Sequence, residues 1–402
     1  MKTAGIIAEY NPFHNGHGYH IEQTKRAVGA ERVIAVMSGS FVQRGEPACA
    51  DKFTRAEWAI EGGADMVIEL PDVFALSCAE RFASAGVRLL AATGLVDAIC
   101  FGSETGDAER LIELSRRTFD REAFEAAIGS GSSYPAAYSA AMGGGLGPND
   151  ILAIEYIRAV EKYCPEMGIF AVKRSGGGYL DEELGGGYSS AKAIRNALLS
   201  CCGQTRMSPA VFDSLVGALP RNVLENITEL MKKGAFPATE RELSPAVLYM
   251  LRAMSAEEIA SLPEVSEGLE NLFRAGSATA SDLDELLDAV KSKRYTMARL
   301  KRTAMSALIG IDRELADAAA ESGEALYIRV LAVNGKGREM LSELSEKAFV
   351  PAIVRSSDRE ALPELAAKVE RISALAHGIR ALGQPYDKSF VPDASYRLIV
   401  KE

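Results

Sequence analysis

Through the first half of the chain, apolar residues gather in short continuous runs: Ala4–Glu9, Val33–Met37, Met66–Leu70, Ala98–Phe101 and Ile169–Val172. Runs of this length without alternation predict strands covered on both faces. Between them the apolar positions take helical spacing near Tyr19–Val28, Thr54–Glu61, Ala79–Ala92, Ala108–Arg117 and Ile151–Tyr163. The alternation predicts an α/β fold, a doubly wound, Rossmann-like parallel sheet of right-handed crossover units. Ligands of such sheets sit beyond the carboxyl ends of the strands. Glycine clusters at Gly143–Gly147, Gly176–Gly178 and Gly185–Gly187 interrupt the pattern, and after Ser190 the strand signals thin out. Helical spacing then dominates: Ser190–Leu199, Pro209–Leu219, Asn222–Lys232, Ser244–Met254, Ala256–Ser261, Asp282–Val290, Tyr295–Ile309 and Pro363–Leu382. Leu326–Val333 reads as a strand or a buried helix. The expected division is an α/β catalytic domain over 1–200 and a mainly helical C-terminal domain over 201–402, with no internal repeat.

Composition narrows the class. With 48% hydrophobic and 25% charged residues, the chain is that of a soluble globular protein. No apolar run reaches the roughly 18–20 residues that span a bilayer. The apolar stretch after Met1 is too short for a signal-peptide core, so a cytoplasmic location is expected. Six cysteines are scattered, two of them adjacent and none in a C-x-x-C pair, which argues against a zinc site or a disulfide framework. The net charge of −10 excludes a protein basic over its whole surface, so any nucleic-acid partner needs a local patch. Nothing in the pattern bears on oligomeric state.

Of four histidines, three (His14, His17 and His20) lie directly after the first strand. Asn11-Pro12 breaks that strand, and Gly16 lets a ligand approach the backbone. The helix that follows offers unpaired N–H groups and its positive end to an anion. Imidazoles here can donate to phosphate oxygens and stabilise the charge that builds during nucleotidyl transfer. Two competing readings are structural histidines and a metal site. With Glu9 and Glu22 as the only local carboxylates and no cysteine nearby, a transition-metal site is disfavoured.

The segment His14-Asn15-Gly16-His17 resembles the H-x-G-H signature of the nucleotidyltransferase superfamily, which pairs it with a second phosphate loop after the last strand. Gly187–Arg195 is similar to that loop, with Ser190 and Arg195 in the matching positions. A hydroxyl, backbone N–H groups and a guanidinium at a helix start suit the β- and γ-phosphates. Gly5–His17, Met37–Pro47, Phe101–Glu104, Pro148–Ala153 and Val172–Arg174 closely resemble the bacterial tRNA(Met) cytidine acetate ligases, as do Arg294–Thr296, Arg299–Arg302 and Arg329–Asn334.

That resemblance implies two steps: ATP and acetate form acetyl-adenylate, and the acetyl group passes to the N4 amine of the wobble cytidine of elongator methionine tRNA. It implies an ATP site over Ile7, Ala8, Glu9, Tyr10, Asn11, Pro12, Phe13, His14, Asn15, Gly16, His17, Gly18, Tyr19 and His20, with Gly102, Asn149 and Arg174. His14 and His17 are the expected catalytic residues. Asn149 has a second reading as a helix cap. Gln43 and Arg44 suit acetate or the tRNA end, or belong to an ordinary surface loop. Few cations flank the two motifs, so Mg²⁺ is expected with the triphosphate.

From Ala289 to Ile311 there is no acidic residue, whereas Lys291, Lys293, Arg294, Arg299, Lys301 and Arg302 are all basic. With Tyr295 interleaved, this run is expected to hold tRNA through Lys293, Arg294, Tyr295, Arg299 and Arg302. A solvated helix face is the other reading. Two further functions stand beside the ligase: a small-molecule adenylyltransferase or acetate-activating ligase that needs no RNA, and a non-catalytic RNA-binding protein.

Overall fold

The computed structural model describes residues 1–174, 189–266, 268–292 and 295–402. Its strands are β1 (Thr3–Ala8), β2 (Arg32–Ser38), β3 (Phe41–Val42), β4 (Glu46–Pro47), β5 (Met66–Leu70), β6 (Ala98–Ser103), β7 (Gly168–Lys173), β8 (Ile328–Val333), β9 (Ala352–Ile353) and β10 (Ile399–Val400). They form one sheet in the order β10-β8-β5-β2-β1-β6-β7, with β9 on β8, while β3 and β4 make a separate hairpin. All pairings from β5 to β7 are parallel; β8 joins β5 antiparallel. The five expected strands are all present; every residue of β2 and β5 is buried, which their mainly apolar runs favour.

Chain order reverses between β1 and β6. This is the switch point at which a doubly wound sheet leaves a crevice beyond its strand ends. One core cluster on the sheet contains residues of Ala79–Ala92 and Pro148–Tyr163 and continues into the distal helices Glu240–Ala253, Leu283–Val290 and Met297–Ile309. The other contains residues of Asn15–Val28, Lys52–Glu61, Ala191–Leu199 and Arg221–Lys232.

The ambiguous stretch Leu326–Val333 is strand β8, and with β9 and β10 the distal half extends the sheet beyond β5. Three distal helices escaped the periodicity: Leu269–Thr279, Arg313–Glu321 and Gly335–Lys347. The first carries Gly276 and Ser277 on its buried side. A Cβ at Gly276 would stand 3.0 Å from Leu286, so close helix packing demands the small residue that weakens the pattern.

Buried ion pairs join the two halves. Lys52 Nζ meets Glu69 at 2.6 Å and Asp393 at 2.5 Å, with all three side chains at most 1% exposed. Arg329 on β8 reaches Asp393 at 2.7 Å, and Arg359 pairs with both Asp393 and Glu370. The distal half is thereby bound to the sheet by charges that have no water to fall back on.

Candidate active site at the switch point

After Ala8 the chain turns sharply. Tyr10 takes a positive φ of 47°, and the helix Asn15–Val28 begins at the N-cap His14. The two signature histidines serve as a reciprocal cap. His14 Nδ1 accepts from Gly16 N at 3.1 Å, and His17 Nδ1 accepts from His14 N at 3.3 Å. The rings stack with centroids 3.7 Å apart. With both Nδ1 atoms acting as acceptors, this pattern assigns the proton of each neutral ring to Nε2. Tyr10 and Phe13 are buried and pack around His17, with centroids at 4.8 and 5.5 Å; their rings support the imidazole from the protein side. Phe13 in turn fills the space left by Gly62, and Ile7 fills that left by Gly86.

Burial, then the positive charges of Arg174 and Arg195, lowers the His14 pKa to about 3. Burial, then Arg174, lowers that of His20 to about 4. His17 is held well below the usual imidazole range by burial, by its neighbours His14 and His20, and by the same arginines. The rings are therefore neutral donors at pH 7. The unfolded chain takes up protons near pH 6.5 and the folded chain does not. Stability from the neutral rings is therefore complete above pH 6.5 and lost as pH falls toward the folded values. Denaturant titrations are expected to show this loss from pH 6.5 downward, whereas adenylation rates should show no histidine limb between pH 6 and 8.

The second motif faces the first. Ser190 is the N-cap of Ala191–Leu199 and accepts from Ala193 N at 3.0 Å, and Arg195 Nη1 donates to Asn11 O at 3.0 Å. Gly187 and the rest of residues 175–188 lie outside the described residues. Arg174, just past β7, donates its N–H to Ser103 O at 2.9 Å and lays its side chain over Gly102. Gly18 has open space where a side chain would stand, while Asn15 turns away and donates to Gly217 O at 2.9 Å.

Asn149 is not the cap of its helix. It stands inside Pro148–Tyr163, and the Glu104 carboxylate takes the exposed N–H groups of Asn149 (3.2 Å) and Asp150 (2.9 Å). The Asn149 amide also donates to Glu104, at 2.5 Å. Buried Asp150 accepts from Ser103 Oγ at 2.5 Å and so fixes the loop after β6. Arg55 ties the loops after β1 and β2 together by donating to Glu9 O at 2.7 Å, to Ala50 O at 3.1 Å and to Gly39 O. Sequence reasoning missed these organising residues, although Glu104 and Asp150 stand inside quoted motifs.

The basic run lies against the catalytic half. Its helix Met297–Ile309 packs on the β3–β4 hairpin so closely that a Cβ at Gly45 would sit 2.4 Å from Arg302 N. Arg302 pairs with Glu264 at 2.7 Å and donates to Gln43 O at 3.1 Å. Arg299 donates to Glu264 O and to Ser266 Oγ, Lys301 joins Glu46 and Glu240, and Tyr295 is buried with its hydroxyl on Ser266 O. The side chains of Tyr295, Arg299 and Arg302, expected to contact tRNA, hold these internal partners. Lys293 and Arg294 lie outside the described residues. Gln43 also donates its N–H to Glu9 Oε1 at 3.0 Å. Arg302→Ala leaves Glu264 without its cation and is expected to cost about 1–3 kcal/mol in denaturant unfolding. A loss of RNA affinity with unchanged stability would contradict this placement.

Among the described residues, no helix is long and apolar enough to cross a membrane, and no group of three or more His, Cys, Asp or Glu is arranged to hold a metal ion. The family profile described as HIGH Nucleotidyl Transferase matches residues 1–387. A tRNA(Met) cytidine acetate ligase of Acetivibrio thermocellus is 36% identical over 374 residues, covering 89% of each chain. One from Thermoanaerobacter sp. (strain X514) is 37% identical over 372 residues, again covering 89% of each. The crystal structure of Thermotoga maritima TmcAL in its apo form I superposes with a TM-score of 0.88 at 31% identity over 100% of both chains. The form bound with alpha-thio ATP gives 0.86 at 30% identity, also over 100% of both.

Proposed function

The chain belongs to the HIGH nucleotidyl transferases and, among them, to the tRNA(Met) cytidine acetate ligases, and from that membership we propose a two-step acetylation of elongator methionine tRNA. In the first step, an acetate oxygen attacks the α-phosphorus of ATP and pyrophosphate leaves. In the second, the N4 amine of the wobble cytidine attacks the acetyl carbon of acetyl-adenylate and AMP leaves. The observation that carries the reading is the stacked pair His14 and His17, neutral and locked as Nε2–H donors, beside Arg174 and Arg195.

Neutral donors suit this chemistry. They strengthen as negative charge moves onto the bridging oxygen, and no proton need be lost or gained to keep them in place. Arg195 and the first N–H groups of Ala191–Leu199 suit the outer phosphates, and Arg174 with the bare backbone of Gly102 suits the nucleoside side. The rest of the stretch from Ile7 to His20 shapes the pocket: Ile7, Tyr10, Pro12 and Phe13 from beneath, and Ala8, Glu9, Asn11, Gly16, Gly18, Tyr19 and His20 around the ligand.

Two arginines do not neutralise a triphosphate. Mg²⁺ fits as an ion carried mainly by the phosphates, since the described donors supply no cage of their own. With its RNA substrate in the cytoplasm, the enzyme is expected to work there. Acetate-dependent exchange of pyrophosphate into ATP tests the first step. It should require both acetate and Mg²⁺; exchange that persists in excess chelator, or without acetate, contradicts the scheme.

A further inference from the structure

A cavity of about 290 Å³ opens between the ATP loop and the distal helices. That is roughly ten times one water molecule's share of the liquid, about 30 Å³, so it has room for a heterocyclic base. Asn11 and Arg195, which also belong to the two phosphate motifs, line it together with Glu46, Glu240, Arg241 and Cys202. The Arg195–Asn11 hydrogen bond makes one wall common to this cavity and the nucleotide site.

The polar lining is specific in its hydrogen-bonding sense. Lys301 engages Oε1 of Glu46 and Oε1 of Glu240, which leaves Oε2 of each carboxylate for a donor in the cavity. Asn11 Oδ1 accepts from Cys49 N at 2.8 Å, so its amide nitrogen is the group left for an acceptor. Cytosine presents that complement: an exocyclic amine that donates, beside a ring nitrogen and a carbonyl that accept. Uracil would turn a carbonyl oxygen toward the carboxylates and be repelled.

The solvent side of the cavity suits an RNA strand. Arg241 is exposed, and Cys202 leads into the Gly203 turn, where exposed Tyr386 donates its hydroxyl to Gly203 O. Tyr386 N donates to Gly234 O at 3.0 Å, which brings exposed Lys233 to the same edge, and exposed Arg206 follows the turn. Cations around an exposed aromatic ring suit a backbone with an unstacked base.

We propose that this cavity receives the flipped-out cytosine of the RNA, with Glu240 as the base that takes a proton from its exocyclic amine; the assignment rests on the acetyl-transfer reading above. That amine is a poor nucleophile because its lone pair is shared with the ring. As Glu240 accepts one N–H proton, the nitrogen pair forms the bond to the acetyl carbon. The carbon–oxygen bond to the phosphate breaks, and AMP leaves with that pair. The products are N4-acetylcytidine, AMP and one proton, later released from Glu240.

The test uses the full-length enzyme and in vitro transcribed methionine tRNA. Glu240→Gln keeps a hydrogen-bond acceptor for Lys301. It should lower single-turnover transfer from preformed acetyl-adenylate by about 10²–10⁴-fold, the usual worth of a general base. Pyrophosphate exchange, which needs no RNA, should change less than threefold. Arg241→Glu should weaken tRNA binding about tenfold and reduce its salt slope by about one. Transfer by Glu240→Gln at the wild-type rate overturns the proposal, as does an equal loss of exchange and transfer. Wild-type enzyme that exchanges pyrophosphate yet acetylates no tRNA overturns the acetyl-transfer reading itself.

Discussion

Replacing His17 with alanine is expected to lower acetate-dependent pyrophosphate exchange by about 10²–10³-fold, the cost of about 2.7–4 kcal/mol for one preorganised donor. His17 Nδ1 is occupied by the His14 N–H and Tyr10 and Phe13 pack around its ring, so Nε2–H is the atom left for phosphate. The substitution also removes half of the reciprocal cap, which adds about 0.5–2 kcal/mol of destabilisation. Exchange kinetics beside a denaturant curve separate the two effects. Exchange within threefold of wild type would remove His17 from the chemistry, whatever happens to stability.

Replacing Lys52 with methionine is expected to cost about 3–5 kcal/mol of stability, comparable with a large part of a domain's total. The change takes the Lys52 ammonium away from buried Glu69 and Asp393 and leaves them Arg329, 3.6 Å from Glu69 and 2.7 Å from Asp393. Burial raises the cost of any unpaired charge, and the direct contact explains why Lys52 keeps its proton, its pKa lying above the ordinary value despite burial. The measurement is chemical denaturation of the full chain. A midpoint unchanged from wild type would show that the halves are held together by apolar packing alone.

The central parallel strands were legible because they are buried on both faces and are therefore apolar along most of their length. The histidine loop was legible because a strand end, a turn and a helix start leave characteristic residues in a fixed order. The roles inside that loop were not: nothing in His14-Asn15-Gly16-His17 says that both Nδ1 atoms cap the helix and so orient Nε2. The ion pairs of the basic run were hidden for a related reason. Its acidic partners Glu46, Glu240 and Glu264 come from distant parts of the chain, so a run without local acids looked unpaired. Asn149 was expected at the ATP site, with a helix cap as its second reading; the cap reading arose because it precedes an apolar helix, whereas Glu104, just past β6, reaches that helix end across the fold. Strands β8 to β10 were faint because they are short or lie far from the strands they extend. We propose that the catalytic and RNA-binding halves still divide near residue 200 by task, with the distal half also completing the sheet.

The most direct test combines the purified chain, ATP, isotopically labelled acetate and methionine tRNA, and follows AMP, pyrophosphate and the digested nucleosides by mass spectrometry. Labelled N4-acetylcytidine is expected only when acetate, ATP and tRNA are all present, with AMP and pyrophosphate formed in equal amounts during that turnover. Consumption of ATP with no label in the nucleosides, or acetylated cytidine formed without AMP, would contradict this.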